Sequence, residues 1–503
     1  MCKTEDHYKA ILKKNREIRL LSSVSMLLDW DQETFMPKGG ISLRSEQIAH
    51  LSSIIHKEKT SHAYQSLLSD AIDLKTGKTL QKNLSPRQKI SLKEWRKNFL
   101  RDTKLDSDFV TTLAKTTSQA TSVWVEAKNN NSFDTFLPHL EKILPLIQQK
   151  AHLIGWKNHP YDALLDLHEV GVTTQDLDTL FAELKPFLID LTHKLTLNQT
   201  PPPSFLYNTY PQEKQTQFNH FLLKKMGVNP KYSRLDFTEH PFCIGMHPQD
   251  VRLTTHHFKE NFFKSIGAVL HEGGHALYEL GLPSEEFGSP LGESCSTGIH
   301  ESQSRWWETF IGQSYPFWQF AFPQLQETFP EQLHAVNLEH FYQVINRVQP
   351  SLIRIFADEV TYILHIILRY EIEKEFLENT LAPKDLPDVW NKKMQSFFGI
   401  VPSTHSQGCL QDIHWACGLF GYFPTYALGN IYSGQIFQTF QKSFPDWGSL
   451  LASGDFKFIR SFLGEKIHRH GRAFSPLKLI ENITGSSVSP KPYMDYLENK
   501  YTR

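Results

Sequence analysis

Apolar residues along most of this chain recur at intervals of three and four, the spacing that places them on one face of an α-helix. The segments LSSIIHKEKTSHAYQSLLSDAI and FLPHLEKILPLIQQKAHLIG show this pattern, whereas alternating apolar and polar positions are few and short. Two polar stretches, KNNNS (128–132) and NQTPPPS (198–204), have the composition of loops. Because helical patterning resumes after each, the sequence predicts a mainly helical protein with no domain boundary at either stretch.

One predicted helix, GAVLHEGGHALYELGLP (267–283), carries a chemical motif. Its apolar face comprises Ile266, Val269, Leu270, Gly273, Leu277 and Leu280. His271 and His275 lie on another face, four residues apart, so both imidazoles can reach one metal ion with Glu272 beside it as general base. The alternative, a pair of capping or surface histidines, is disfavoured because the histidine face is separate from the apolar face.

Two glycines interrupt this helix, and each costs about 1 kcal/mol relative to alanine in a helix interior. Gly273 falls on the apolar face, which predicts a close neighbouring helix there. Gly274 falls beside His271, which predicts open space for the metal, its third ligand and the substrate.

The third metal ligand must come from another segment, because Tyr278 and Gly281 stand where a metzincin would continue its motif. The segment STGIHESQSRWWETF (296–310) predicts a second helix, and a glutamate on it would complete a His2Glu site. Spacing alone leaves Glu301, Glu293 and His300 as candidates.

Further polar residues lie in segments that are otherwise apolar. Residues 351–376 predict one long buried helix with a polar stripe formed by Arg354, Asp358, Tyr362, His365 and Arg369. That stripe is an ion-pair ladder, with Arg354 bound to Asp358, a solvated face, or the lining of a substrate cleft. The alternation in VRLTTHHF (251–258) predicts a short strand at a sheet edge beside the substrate.

The composition excludes several classes of protein. The chain has 503 residues, 40% hydrophobic and 21% charged, and its net charge of −1 gives no argument for nucleic acid or an anionic membrane as partner. Five scattered cysteines without a Cys-x-x-Cys spacing, and a charged N-terminal stretch, favour a cytoplasmic protein with reduced thiols and no membrane span. KTGKT (75–79) lacks the first glycine of a P-loop, and GESCS (292–296) is not a serine-hydrolase motif.

Taken together, these segments resemble the carboxypeptidase Taq family of metallocarboxypeptidases. The matching stretches are LLDWDQETFMPKGG (27–40), HPF (240–242), DVRLTT (250–255), LHEGGHALYELG (270–281), GIHESQSR (298–305), IRIFADEVTYILH (353–365) and LQDIHWACGLFGYFPTYALGN (410–430). They follow the family's order and span residues 27 to 430.

The resemblance implies an all-α fold with a very small β-sheet near the active site. It implies one large domain, 1–503, with a deep substrate groove, in which residues 1–200 form part of the groove wall and residues 201–503 carry the metal site. The implied activity is metal-dependent release of single amino acids from peptides with a free C-terminal carboxylate. Zinc is the first choice, cobalt and manganese also suit such ligands, and a homodimer is the usual form.

The resemblance also implies the site residues. The metal ligands are His271, His275 and Glu301, and Glu272 is catalytic. The implied substrate-binding residues are His240, Arg354, His414, Tyr422 and Tyr426. Arginine suits a C-terminal carboxylate because its planar fork makes two hydrogen bonds, so Arg354 is the expected carboxylate ligand and Arg252 the reserve.

This chain departs from the family pattern at two positions, His256 in place of arginine and Leu280 in place of glutamine. Leu280 lies on the apolar face and is expected to affect packing, whereas His256 removes a permanent cation and is expected to affect substrate preference. Two other functions compete with a carboxypeptidase. One is a helical metallo-endopeptidase, and the other is an inactive metal- or peptide-binding scaffold, which the presence of Glu272 disfavours.

Overall fold

The computed structural model describes residues 6–197, 203–258 and 261–502. Helices dominate these parts of the chain, with one small three-stranded sheet, so the all-α prediction is confirmed. The predicted loop at 198–204 falls mostly on residues outside this description, and so does Cys2.

The helices are numbered in chain order. They are α1 His7–Thr34, α2 Ile41–Thr60, α3 His62–Ala71, α4 Pro86–Asp102, α5 Ser107–Asn129, α6 Phe133–Ile154, α7 Pro160–Leu165, α8 Thr174–Thr196, α9 Gln212–Met226, α10 Phe262–Leu280, α11 Thr297–Arg305, α12 Tyr315–Thr328, α13 Pro330–Leu333, α14 Leu338–Ile345, α15 Tyr362–Leu377, α16 Leu386–Phe398, α17 Pro424–Ser443, α18 Trp447–Ala452, α19 Lys457–Lys466, α20 Pro476–Thr484 and α21 Lys491–Tyr501. The strands are β1 Ser233–Phe237, β2 Cys243–His247 and β3 Asp250–Thr255.

Local chemistry accounts for many helix boundaries. The Ser85 side chain accepts from the backbone of Gln88, whose own side chain accepts from the Ser85 backbone, and Pro86 opens α4. The helix α9 ends at Gly227, where φ is 92°, a conformation that glycine adopts without steric cost. These boundaries are the ones that sequence signals identify most directly.

The sheet has the order β1-β3-β2, with β3 parallel to β1 and antiparallel to β2. The prediction of a strand around 251–255 is therefore confirmed, but its predicted place at the sheet edge is wrong. Strand β2 covers the other side of β3, pairing Cys243 with Leu253 and Ile244 with Arg252. Helix α10 packs against both β2 and β3.

The segment 351–376 is not one continuous helix, so that prediction is wrong. Residues Arg354–Phe356 form a single 3₁₀ turn, and α15 begins at Tyr362. Asp358 explains the break, because its carboxylate accepts from the backbone N–H groups of Gln349, Val360 and Thr361. A side chain that binds nearby backbone groups in this way favours a turn over a helix.

One large apolar core runs through the single domain, from α5 and α6 to α21, and a smaller cluster lies under α1, α3 and α4. Helix α11 packs against both α10 and α17. In the parts of the chain that the structure describes, no helix has both the length and the apolar character of a membrane span.

Candidate metal centre and active site

Two central helices bring the predicted metal ligands together. His271 and His275 are one turn apart on α10, and Glu301 projects from α11. The start of α11 is fixed by Ser296, whose hydroxyl accepts from the backbone N–H of Ile299 at 3.1 Å. Glu301 therefore lies in the second turn of a helix whose first turn is capped.

The distances between these three side chains suit a metal ion. The Oε2 atom of Glu301 lies 3.6 Å from Nε2 of His271 and 3.5 Å from Nε2 of His275, and one ligand atom from each residue lies within 4.8 Å of the others. Tetrahedral zinc with its usual bond lengths separates nitrogen and oxygen ligands by about 3.4 Å. Among the described residues, this is the one group with such geometry.

Two carboxylate atoms at this site are buried and have no hydrogen-bond partner in the described part of the chain. They are Oε1 of Glu301 and Oε2 of Glu272. Glu301 is 5% exposed and Glu272 is 6% exposed. Buried carboxylate oxygens without partners are costly, and a divalent cation beside Glu301 would compensate that cost. The residues present therefore fit a metal site.

The His271 ring is oriented from behind by a second carboxylate. Its Nδ1 donates to Oε2 of Glu308 at 2.8 Å, and Arg305 donates to the same oxygen at 2.6 Å. Glu308 lies in a π-helical segment, Trp306–Ile311, that continues α11. The hydrogen bond at Nδ1 leaves Nε2 of His271 free to face the metal site.

The His275 ring is oriented through another histidine. Its Nδ1 lies 2.6 Å from Nδ1 of His300, and Nε2 of His300 lies 2.7 Å from Oε1 of Glu279. With Nε2 of His275 facing the metal site, its Nδ1 donates to His300, which then donates to Glu279. His300 was one of the candidates for third ligand, and it lies behind His275. The other candidate, Glu293, pairs with Arg472 at 3.1 Å.

The two carboxyl groups nearest the predicted metal position, Glu272 and Glu301, have very different pKa values. Burial raises the pKa of Glu272 to about 7, although nearby His271 opposes that rise. Burial would also raise the pKa of Glu301, but His271, His275 and Arg305 together lower it to about 2. Burial and the proximity of His300 lower the pKa of His275 to about 3. These shifts favour an ionised Glu301 and a neutral His275, the forms in which such side chains bind a metal ion. Burial lowers the pKa of His271, but the neighbouring Glu301 and Glu308 raise it to about 9, so a metal ion would have to displace its proton.

The two glycines of the motif make room for neighbouring helices. A Cβ atom on Gly273 would lie 2.7 Å from Cε of Met226 on α9, as the apolar face predicts. A Cβ on Gly274 would lie 2.4 Å from the carbonyl oxygen of Gln303 and 2.8 Å from Cα of Ser304. Gly274 was expected to leave open space for the metal, its third ligand and the substrate. It instead admits the backbone of α11, the helix that carries the predicted third ligand Glu301, so the expectation of open space is wrong.

A cleft of about 440 Å³ opens at the metal site. Besides the three metal-site residues and Glu272, it is lined by Glu94, Lys97, Asn98, Arg101, Leu167, His168, Val170, Pro241, Phe242, Cys243, Ser294, Cys295, Ser296, Thr297, His300, Tyr422, Tyr426 and Arg472. The lining residues come from α4, from the segment between α7 and α8, from β2 and from the start of α17. Residues before and after position 200 thus line one cleft.

Arg354 does not pair with Asp358, so the predicted ion-pair ladder is wrong. Its guanidinium donates to Asp412 at 2.8 Å and to the Tyr362 hydroxyl at 3.2 Å, and Arg369 contacts the other oxygen of Asp412 at 2.6 Å. Arg354 is 7% exposed and lies behind Tyr426, 5.0 Å from the ring centre. It is adjacent to the cleft but not among the residues that line it.

The other predicted substrate residues occupy different positions relative to the cleft. Tyr422 and Tyr426 line it, and Nε2 of His414 lies 3.3 Å from the Tyr426 hydroxyl. His240 is exposed on the loop just before the lining residue Pro241. Arg252 lies away from the cleft, bound to both oxygens of Asp250 and stacked 4.3 Å from the Trp30 ring centre.

The two departures from the family pattern lie outside the cleft. Nδ1 of His256 lies 3.0 Å from the carbonyl oxygen of Thr238, and the ring lines a separate surface pocket. Leu280 packs against the main core, in agreement with its place on the apolar face.

Sequence reasoning missed several residues that hold the site. Glu308 could have been found, because it lies seven residues after Glu301 and returns to the same helix face. Asp412 is in the quoted segment 410–430, but nothing local shows that it bridges Arg354 and Arg369. The cleft residues Lys97 and Arg101 carry no motif, because only the tertiary fold brings α4 to the metal site.

Comparison with known proteins identifies the family of this chain. Residues 10–501 match the family described as carboxypeptidase Taq (M32) metallopeptidase. The chain is 39% identical to thermostable carboxypeptidase 1 of Thermus thermophilus, over 99% of this chain and 98% of that protein. It is 38% identical to carboxypeptidase 1 of Bacillus subtilis, over 97% and 96%. The M32 carboxypeptidase structure from Deinococcus radiodurans R1 superposes with a TM-score of 0.95 at 34% identity, covering 99% of each chain.

The fold and the site therefore define a helical metallopeptidase. The chain belongs to the carboxypeptidase Taq family of metallopeptidases. It is a metal-dependent carboxypeptidase that acts on peptides, and its cofactor is a divalent metal ion. The two competing functions, an endopeptidase and an inactive scaffold, are not favoured by these relatives.

The packing of the two glycines predicts different effects of adding a methyl group. We expect Gly274→Ala to lower metal affinity and kcat/KM by about tenfold or more, because the new methyl meets α11 backbone and shifts Glu301 from the histidines. Gly273→Ala should leave both near wild type, because the flexible end of Met226 can move aside and helix propensity improves by about 1 kcal/mol. Chelator competition and steady-state kinetics measure both effects. Equal losses of metal affinity in the two variants would contradict this division.

Proposed function

We propose that this enzyme releases single amino acids from the C-termini of peptides, with one metal ion held by His271, His275 and Glu301 and with Glu272 as general base. The observation that carries the proposal is the convergence of the three ligand atoms within 4.8 Å beside Glu272, on the wall of a cleft. Two imidazoles and one carboxylate leave a coordination position open, as catalytic zinc sites do.

Zinc is the proposed metal, since nitrogen and oxygen ligands in tetrahedral geometry suit it best, and cobalt or manganese would also bind such a site. When bound, the divalent cation would act as a Lewis acid and lower the pKa of water toward about 7. Glu272 accepts the proton of the attacking water and then gives it to the leaving amine. Its Oε2 atom has no other partner among the described residues, which leaves it available for this transfer.

Two tyrosines are the proposed donors to the oxygen that becomes negative as the scissile carbonyl is attacked. The hydroxyls of Tyr422 and Tyr426 belong to side chains that line the cleft with Glu272. His414 supports Tyr426 through their contact at 3.3 Å. His240 is proposed to contact the substrate at the rim, because the next residue, Pro241, already lines the cleft.

Arg354 is the proposed recognition group for the C-terminal carboxylate. Arg354 and Arg369 share the single carboxylate of Asp412, so this group of three charges has one surplus positive charge. The Arg354 guanidinium lies beside Tyr426, whose ring lines the cleft. A surplus buried cation attracts a substrate carboxylate. Arg252 remains the alternative residue for binding the C-terminal carboxylate, although Asp250 already neutralises its charge.

The remaining proposals concern organisation and location. We propose that residues 1–200 form part of the groove wall and residues 201–503 carry the metal site, and the mixed origin of the cleft lining supports this division. A cytoplasmic location is proposed because the four described cysteines, Cys243, Cys295, Cys409 and Cys417, are all free thiols.

The activity is tested by mass spectrometry of a digested peptide and its C-terminally amidated twin, with and without a chelator. We expect stepwise loss of residues from the free C-terminus and none after the chelator has removed the metal. The amidated twin should resist, because it lacks the carboxylate that Arg354 binds. If both peptides were cut equally, the role of Arg354 would be wrong, and internal cleavage would contradict the proposed exopeptidase activity.

The role of Glu272 is tested by Glu272→Gln, which keeps the shape of the side chain but removes the base. We expect metal content near wild type and a decrease in kcat of about 10²- to 10⁴-fold. The exposed Glu285, just after the same helix, provides the control, since Glu285→Gln should leave kcat unchanged. Turnover retained in Glu272→Gln would exclude this carboxyl group as the base.

The enzyme is also proposed to be a homodimer. Exposed apolar residues support this on α1, where Leu20, Val24 and Leu27 share one face, and Leu43 is exposed on the adjacent α2. Sedimentation should give twice the chain mass for wild type and a single chain mass for a Leu20→Lys, Val24→Lys variant. Val401→Lys, at an exposed apolar position outside α1 and α2, should stay dimeric. A double variant that also stays dimeric would exclude this face as the interface.

A further inference from the structure

Glu169 is a buried carboxylate that the proposed mechanism does not use. Its side chain is fully buried. Its Oε1 accepts from the hydroxyls of Ser296 at 2.9 Å and Tyr432 at 3.0 Å, and its Oε2 accepts from the backbone N–H of Gly298 at 2.7 Å. These three donors only partly offset the cost of burial, which still raises the pKa of Glu169 to about 7.

Two of these donors lie at the start of α11, where Ser296 caps the helix and Gly298 is in its first turn. The residue before Glu169 contacts the same turn, because the carbonyl oxygen of His168 accepts from the backbone N–H of Thr297 at 3.1 Å. Residues 168 and 169 therefore accept from two successive backbone N–H groups, those of Thr297 and Gly298. N–H groups in the first turn of a helix have no partner within the helix. A carboxylate at this end is also favoured by the helix dipole.

The contact between Glu169 and α11 is close. A Cβ atom on Gly298 would lie 2.6 Å from Oε2 of Glu169, so a larger residue there would displace the Glu169 carboxyl group from its donors. Glu301 follows Gly298 by three residues, about one helical turn. Glu169 thus contacts the start of α11 about one helical turn before Glu301.

We propose that Glu169 is a positioning residue for the metal ligand Glu301, acting through the first turn of α11. This inference rests on the proposed function, in which Glu301 binds the metal. It assigns a role in the metal site to the segment between α7 and α8, whose neighbouring residue His168 lines the cleft.

A second buried carboxylate provides a matched control. Glu373 is fully buried and also accepts three hydrogen bonds, from the Tyr161 hydroxyl at 2.7 Å, the Trp415 indole at 2.8 Å and the backbone N–H of Gly421 at 3.0 Å. None of these donors lies on α10 or α11. Replacing it therefore perturbs the fold in a similar way without acting on the first turn of α11.

The experiment compares Glu169→Gln and Glu373→Gln in the full-length protein, with cobalt as the probe. Competition with a chelator measures cobalt affinity, the visible absorption spectrum reports the ligand geometry, and the melting temperature of the metal-free proteins reports general stability. We expect Glu169→Gln to lower cobalt affinity by about 10- to 100-fold and to change the spectrum, as loss of an outer-shell partner does. Glu373→Gln should leave the cobalt affinity and the spectrum near wild type, even if its melting temperature falls as much as that of Glu169→Gln.

Several outcomes would overturn the proposal. An unchanged affinity and spectrum in Glu169→Gln would do so, as would equal losses of affinity in both variants. If Glu169→Gln does not fold, Ser296→Ala removes one of the three donors with less damage, and unchanged affinity and spectrum there would also contradict the inference. Glu301→Gln tests the underlying ligand assignment separately, because unchanged affinity in that variant would refute the metal site whatever Glu169 does.

Discussion

The metal site depends on the close approach of α11 to its neighbours. A Cβ atom on Gly274 of α10 would lie 2.4 Å from the carbonyl oxygen of Gln303, and one on Gly429 of α17 would lie 2.5 Å from Cγ of Glu301. The same helix is held at its start by Glu169 and Gly298. With glycine at each contact, the backbone of α11 is confined on several sides, and Glu301 is brought to 3.5–3.6 Å from both imidazoles. The helix-weakening glycine pair of the motif is thus explained by packing.

Polar and charged side chains around α11 orient the two histidines of the proposed metal site. Glu308 orients His271 and His300 orients His275, which turns both Nε2 atoms toward Glu301. Such partners behind metal ligands fix the ring orientation and commonly change metal affinity when they are removed. Farther from the metal, Asp412 binds two arginines at once and leaves a surplus of positive charge beside Tyr426. The proposed site therefore combines Glu301 as a carboxylate ligand, Glu272 as a separate base and Arg354 as a nearby cation.

Sequence reasoning succeeded where local signals decide the structure. The period of the apolar residues in α10 and the histidine spacing are local properties, and the helix and the convergence of His271 with His275 follow from them. It failed where the apolar pattern does not show what the backbone binds. Asp358 accepts from nearby backbone N–H groups and breaks the predicted helix at 351–376. Strand β2 pairs with the side of β3 that was predicted to be an edge. Glu169 gave no signal, because its donors lie more than 120 residues away in the sequence.

X-ray absorption spectroscopy of the zinc-loaded protein tests the central claim most directly, since it counts the atoms around the metal. With His271, His275 and Glu301 as ligands, the inner shell should contain only nitrogen and oxygen at about 2.0–2.2 Å, with outer-shell scattering from two imidazole rings. Cys243 and Cys295 also line the cleft, so a different ligand set is physically available. A sulfur atom at about 2.3 Å, or scattering from one or three imidazoles, would contradict the proposed site.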